Sequence, residues 1–332
     1  MKKENSFLFS LSGIACILVV FIHVPFFGYF GRCLLPICRF SVPYFFTLSG
    51  YYCKPLDGSL GREKTLKFLR LFIWVWSCYL ALSLFISLCE GNTIACWVND
   101  KFSIGNVVAL LLFNHSSLLE ITSYTADSLW FLLAMAYIYL IVGCFGNFIH
   151  KNKWFILCFL GIALIVGHCI FTGHFFSLFG KSYNSLILVD NWLVEGFFFF
   201  LMGYTIKSIK NQIKLPKIEK GLFLLVLCFI LLGSIVESVL YTSDIYLCSV
   251  ISVVLIFLYA DKMDGIRIPL LDHIGKNLSA NVYYWHVFIK ALIVFVVGVE
   301  FLDTGKNILP LLVISITLCM NQVFYQFKKN LK

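Results

Sequence analysis

The feature that most constrains this chain is an apolar run of about 20 residues that recurs from one end of the sequence to the other. A helix of roughly 20 apolar residues crosses the hydrocarbon core of a bilayer, which is about 30 Å thick. Lipid offers no hydrogen bonds, so only helices and closed barrels can span it. A spanning barrel needs alternating apolar and polar residues, and these runs do not alternate. Hydrophobic residues make up 60% of the chain and charged ones 13%, against about 25% charged in an ordinary soluble domain. The expectation is an all-α, polytopic integral membrane protein with about ten transmembrane helices. The spans fall near 7–29, 34–52, 68–89, 128–149, 154–172, 192–209, 221–240, 245–260, 278–298 and 308–327. No stretch between them is long and polar enough for a separate soluble domain, so residues 1–332 read as one membrane domain. The opening "MKKEN" has the charge of a signal peptide. The apolar run behind it continues to about Phe30 without a small-residue cleavage site, so it reads as the first span.

The basic residues orient those spans. Short cytoplasmic loops are enriched in Lys and Arg. With the N-terminus inside, 20 of the 26 basic residues fall on inner segments; Arg32, Lys101, Lys181 and Lys306 fall outside, and Arg39 and Lys290 lie within spans. The asymmetry places the N-terminus and the C-terminus on the cytoplasmic side. The net charge of +9 is therefore topology and not a nucleic-acid surface. The inner basic patches face membrane lipids and suit an anionic cytosolic ligand. The longest outer segment, about 90–127, carries the short apolar piece "GNVVALLLF", which suits a re-entrant or interfacial segment.

The cysteines do not form a framework. Cys16, Cys78, Cys144, Cys158 and Cys228 fall in mid-span, where they act as small apolar residues. No C-x-x-C pair is present, so no metal site is expected. Cys33 and Cys96 lie in outer loops and could pair, a reading ranked below free thiols. His168 and His174 flank an outer helix end and lack a third ligand nearby in sequence.

Ionisable residues inside apolar spans are costly and usually face a partner or a cavity. His23 shares one helical face with Ser12, Cys16 and Val19. A neutral imidazole can take a proton from a hydroxyl; a histidine bonded to a neighbouring helix has the same signature. Arg39 stays charged and precedes Pro43, which breaks the helical bonding pattern. It is either an anchor for an anionic or carbonyl group or an arginine reaching the interface. In "GKNLSANVYYWHVFIK", Ser279, Tyr283, His286 and Lys290 recur at spacings of 4, 3 and 4. They form one polar stripe, which favours a cavity over a simple hydrogen-bonded seam. Glu195 in "WLVEGFFFF" is equally a site residue or a seam residue, and Glu237 reads as reaching water. Asp127 and Trp130 read as a span start with an interfacial tryptophan.

At these residues the chain resembles a known family. "LSGIACILVVFIH", "RFSVPYFFTLSGYY", "DSLWFLLAMAYIYL", "EGFFFFLMGY" and "IGKNLSANVYYWHVFI" are similar, in order and spacing, to the blocks of acyltransferase family 3. The nearest resemblance is to the branch with the O-acetyltransferase of enterobacterial common antigen. The resemblance implies about ten helices and transfer of an acyl group, often acetyl, from cytosolic acyl-CoA to a hydroxyl of a surface or lipid-linked glycan. Acetyl-CoA or another acyl-CoA is then a donor substrate, with no bound cofactor. By resemblance His23 is the catalytic histidine of the first block, Arg39 the arginine before the second, and His286 the histidine of the last. Ser12, Glu195, Ser279, Tyr283 and Lys290 are the expected substrate-binding residues. The family's first block carries an arginine ten residues before its histidine, and Ser12 stands there. That departure removes a cation at the cytoplasmic end of the first span, and Lys3 or Arg70 could take its place. An altered or inactive member is the other reading. The rival function is a transporter or flippase of a small polar or lipid-linked solute on the same bundle. A structural membrane subunit fits less well, because four ionisable residues sit in spans.

Overall fold

A computed structural model describes residues 5–53, 58–171, 190–241 and 243–331. Lys2, Lys3, Lys54, His174, Lys181 and Lys332 lie outside them. The regular structure of the described residues is helical, without a strand. In chain order the helices are α1 (Ser6–His23), α2 (Gly28–Cys38), α3 (Ser41–Tyr51), α4 (Gly58–Cys89), α5 (Ile94–Lys101), α6 (Ile104–Phe113) and α7 (Trp130–Phe171). They continue as α8 (Phe197–Ile209), α9 (Lys220–Leu240), α10 (Leu247–Met263), α11 (Pro269–His273), α12 (Ser279–Val297), α13 (Phe301–Thr304) and α14 (Leu309–Asn330). Two π-helical turns, Trp192–Gly196 and Ile274–Leu278, lead into α8 and α12.

Among the described residues eight helical stretches are long and apolar enough to cross a membrane, and a ninth if the α5–α6 pair, bent by 44°, is one broken span. The protein is a multi-pass membrane protein. Its lipid-facing character shows in α9, where Phe229, Val236 and Val239 are exposed. The differences from the ten expected spans are local. The 245–260 span is α10, of 17 residues. The 128–149 and 154–172 spans join in α7, whose 42 residues are interrupted by non-helical backbone at Phe145 and Asn152. The 7–29 span stops at His23, because Pro25 disfavours helical backbone at Val24; Val24 sits at φ −132°, ψ 73°. The 34–52 span is split at Arg39 and Phe40 into α2 and α3. Pro43 then falls in the first turn of α3, where its missing N–H costs nothing. Cys33 and Cys96 are both free thiols.

The chain forms two compact units, residues 1–52 with 203–332, and residues 53–202. In the first, α1 is the hub: it touches α2, α3, α10, α11, the 274–278 turn, α12 and α14. Its buried Ser10, Ser12, Gly13, Ala15 and Cys16 are small, which lets helices approach closely in a membrane. A Cβ on Gly13 would stand 2.2 Å from Leu271 O, and one on Gly275 would stand 2.0 Å from Phe9 O. Glycine is required at both places because backbone meets backbone. In the second unit α4 packs on α7 in the same manner, with Gly61 against Gly143. Phe68 stacks on Tyr139 beside that contact at 5.7 Å.

Candidate active site

The packing of α12 on α1 brings His23 and His286 together. Their ring centroids are 5.2 Å apart and their planes are tilted by 37°. The expected 7–29 span puts His23 inside a helix; it is instead the last residue of α1, and it is half-buried. His286 is fully buried. Its Nδ1 lies 2.9 Å from Tyr283 O and 3.1 Å from Val282 O. Carbonyl oxygens only accept, so Nδ1 carries the proton, and Nε2 presents a lone pair. Nε2 is buried and has no hydrogen-bond partner among the described residues. Nearly all buried polar atoms are paired, so one left open beside a second imidazole marks a place where a proton can be received.

One turn further along α12, Lys290 is buried and its Nζ donates to His23 O at 3.1 Å. An ammonium is thereby held at the C-terminal end of α1, where the helix dipole is negative. The ring of Tyr283 lies 6.2 Å from that of His286. Two of the four stripe residues, His286 and Lys290, therefore gather at His23, with Tyr283 beside His286. The fourth, Ser279, donates its hydroxyl to Gly275 O at 2.8 Å, and its own carbonyl accepts from Cys16 Sγ at 3.7 Å.

The other expected residues have their own settings. Ser12 is buried, donates to Leu8 O at 2.9 Å and lies 3.1 Å from the Tyr44 hydroxyl, which also donates to Leu8 O. This knot fastens α1 to α3. Arg39 sits at the α2–α3 break and its guanidinium pairs with Asp244. That partner was missed, since it lies in the polar stretch before α10, far away in sequence. Glu195 is buried in the 192–196 π turn of the second unit, a kind of turn frequent at functional sites. Glu237 accepts from Cys248 N at 3.2 Å and so caps α10, a role its position did not suggest. His168 faces Asp190 at 3.3 Å.

Residues 10–321 match the family model of an acyltransferase domain. The chain belongs to acyltransferase family 3. No curated protein and no solved structure matches it. The family match runs through both compact units and includes His23, Arg39, Glu195, His286 and Lys290.

Proposed function

We propose that the chain is an O-acyltransferase of the inner (plasma) membrane that moves an acyl group, acetyl first among the candidates, from cytosolic acyl-CoA to a hydroxyl of a cell-surface or lipid-linked glycan. The observation that carries this reading is the His23–His286–Lys290 cluster in a chain of this family. Exposure divides the labour between the imidazoles. Half-buried His23 can be reached by an acceptor, whereas fully buried His286 stands behind it with its tautomer set by backbone. His23 takes the proton as the acceptor oxygen attacks the thioester carbonyl carbon. A C–O bond forms, the C–S bond breaks, and the proton passes to the departing thiolate. A transient acyl-His23 is the covalent variant of the same chemistry. Lys290 supplies positive charge beside the developing oxyanion. Arg39, already paired with Asp244, orients the acceptor side of the α2–α3 break and is not a bare charge.

The donor is a polyanion, and clustered cations focus anions. Arg62, Lys67 and Arg70 are exposed on the first half of α4, with Lys64 half-buried among them. They supply positive charge that attracts such a donor. The basic asymmetry supports cytosolic termini and entry of the donor from that side. Membranes holding the protein, given radiolabelled acetyl-CoA, should transfer label to glycan in alkali-labile form. Label that stays on CoA, with no mass shift of one acetyl group in the glycans of cells expressing the gene, overturns the reading.

A further inference from the structure

The second unit holds another imidazole with the same unfinished bonding. His115 Nδ1 lies 2.7 Å from Asp127 Oδ2. An ionised carboxylate accepts, so Nδ1–H donates, and in the neutral imidazole Nε2 carries the lone pair. That Nε2 is buried and has no partner among the described residues. Next to it, Asn114 is fully buried with both side-chain amide atoms unpartnered. Asn114 closes α6 in left-handed backbone, φ 63°, and its N–H bonds Leu110 O. Capping uses only its backbone, so the cap does not account for the amide side chain.

The surroundings are held firmly. Trp76 Nε1 donates to Leu118 O at 2.7 Å, Trp192 Nε1 to Leu112 O at 2.9 Å, and Ser116 Oγ to Asn106 O at 2.8 Å. Trp130 lies 4.9 Å from the His115 ring. The open atoms of Asn114 and His115 thus sit in a loop braced by these three bonds. The His115 and Asp127 side chains keep 17% and 25% of their surface exposed, so the pair can be approached.

We propose that Asn114, His115 and Asp127 form a binding site for hydroxyl groups of a neutral sugar. A hydroxyl donates to His115 Nε2, while the Asn114 amide both donates and accepts, as adjacent sugar hydroxyls do. Charge argues against an anion. Asp127 is at the site, and Glu120 lies near enough for the Asp127 charge to add to burial in raising its carboxyl above the usual range. The nearby Lys101 ammonium is spent on Ser117 O and Glu120 O, at 2.9 and 3.0 Å. Among the described residues no three His, Cys, Asp or Glu side chains group closely enough for a metal ion. The choice of a sugar rests on the reading of the acceptor as a glycan; the open bonding sites do not.

The test uses the full-length protein in detergent with four probes: tritiated N-acetylglucosamine, methyl β-D-glucopyranoside, inorganic phosphate and choline. Wild type should bind at least one of the two sugars and neither charged probe. It should also gain thermal stability with that sugar, by about an elevenfold shift toward the folded state at ten times Kd. H115Q, D127N and N114D should lose the gain. The general stabilising effect of sugars as osmolytes cancels in that comparison. Wild type that binds neither sugar, or binds phosphate or choline as well as sugar, overturns the site, whatever the variants do. Equal sugar binding in folded variants overturns it too. A sugar bound at this site by a wild type that transfers no acetyl group overturns the acyl-transfer reading and not the site.

Discussion

His286 in the first unit and His115 in the second are held in the same way and differ in what holds them. Each donates from Nδ1 and leaves a buried Nε2 without a partner. His286 gives its proton to carbonyls of its own helix. No side-chain substitution elsewhere can remove those acceptors, and they bring no net charge. His115 gives its proton to Asp127, twelve residues away in a loop. One substitution can remove that acceptor, and the carboxylate adds negative charge. The first arrangement suits a rigid proton relay with Lys290 beside it. The second suits recognition of neutral hydroxyls.

The comparison makes a kinetic distinction. His286→Gln should lower kcat by roughly 10² or more, the scale for a positioned proton-transfer group, with KM for the acceptor little changed. His115→Gln should leave kcat nearly intact and weaken binding of a neutral sugar, by up to about tenfold for one lost neutral hydrogen bond. Steady-state acyl-transfer assays and sugar-binding measurements on both variants check this. A fall in kcat for His115→Gln as large as that for His286→Gln erases the difference between the two sites.

Lys290 sharpens the first half of the comparison. Lys290→Met keeps the side-chain length and removes the charge. It should cost roughly 10² in kcat if the ammonium faces a developing oxyanion, with thermal stability unchanged or higher, because a buried charge is costly to keep. A fully active Lys290→Met protein would place that ammonium in helix packing alone.

The spacing of Tyr283, His286 and Lys290 was legible because helical period 3.6 puts polar residues of a span on one face, and lipid forbids that face. The end of α1 was legible in principle from Pro25. Ser279 has the same spacing as its neighbours, yet its hydroxyl is spent on its own helix, which periodicity cannot reveal. Pairings between distant segments left no local trace. Asp244 with Arg39 and Tyr44 with Ser12 depend on which helices pack together. The His115–Asp127 pair sits in a loop, where no periodicity marks it. The π turns at 192–196 and 274–278 add one residue to a helical turn, below the resolution of a hydrophobic pattern.

The packing around Ser12 carries a stability prediction. Gly13→Ala and Gly275→Ala each drive a methyl into backbone, and each should cost roughly 1–3 kcal/mol or more. Thermal unfolding in detergent should show the loss, with activity per folded molecule kept. Ser12→Arg should behave likewise and not restore donor affinity, because its Cβ already abuts Gly275. A stable Ser12→Arg protein with tighter acyl-CoA binding would contradict this.

The smallest effect belongs to Arg39 and Asp244, whose side chains are 27% and 33% exposed. An ion pair this open is worth about 1 kcal/mol or less. If Arg39 serves only the pair, Arg39→Gln and Asp244→Asn should cost the same and the double variant no more than either. A much larger activity loss for Arg39→Gln, at equal stability, places its guanidinium against substrate.

The most direct test of the proton-transfer centre is acyl transfer by His23→Gln, measured beside His23→Ala in membranes with labelled acetyl-CoA. Glutamine keeps size and hydrogen bonding but cannot take a proton at neutral pH. Both variants should insert and melt like wild type and lose transfer by about 10²–10⁴. A His23→Gln protein that transfers acetyl at the wild-type rate contradicts the assignment of His23 as the base.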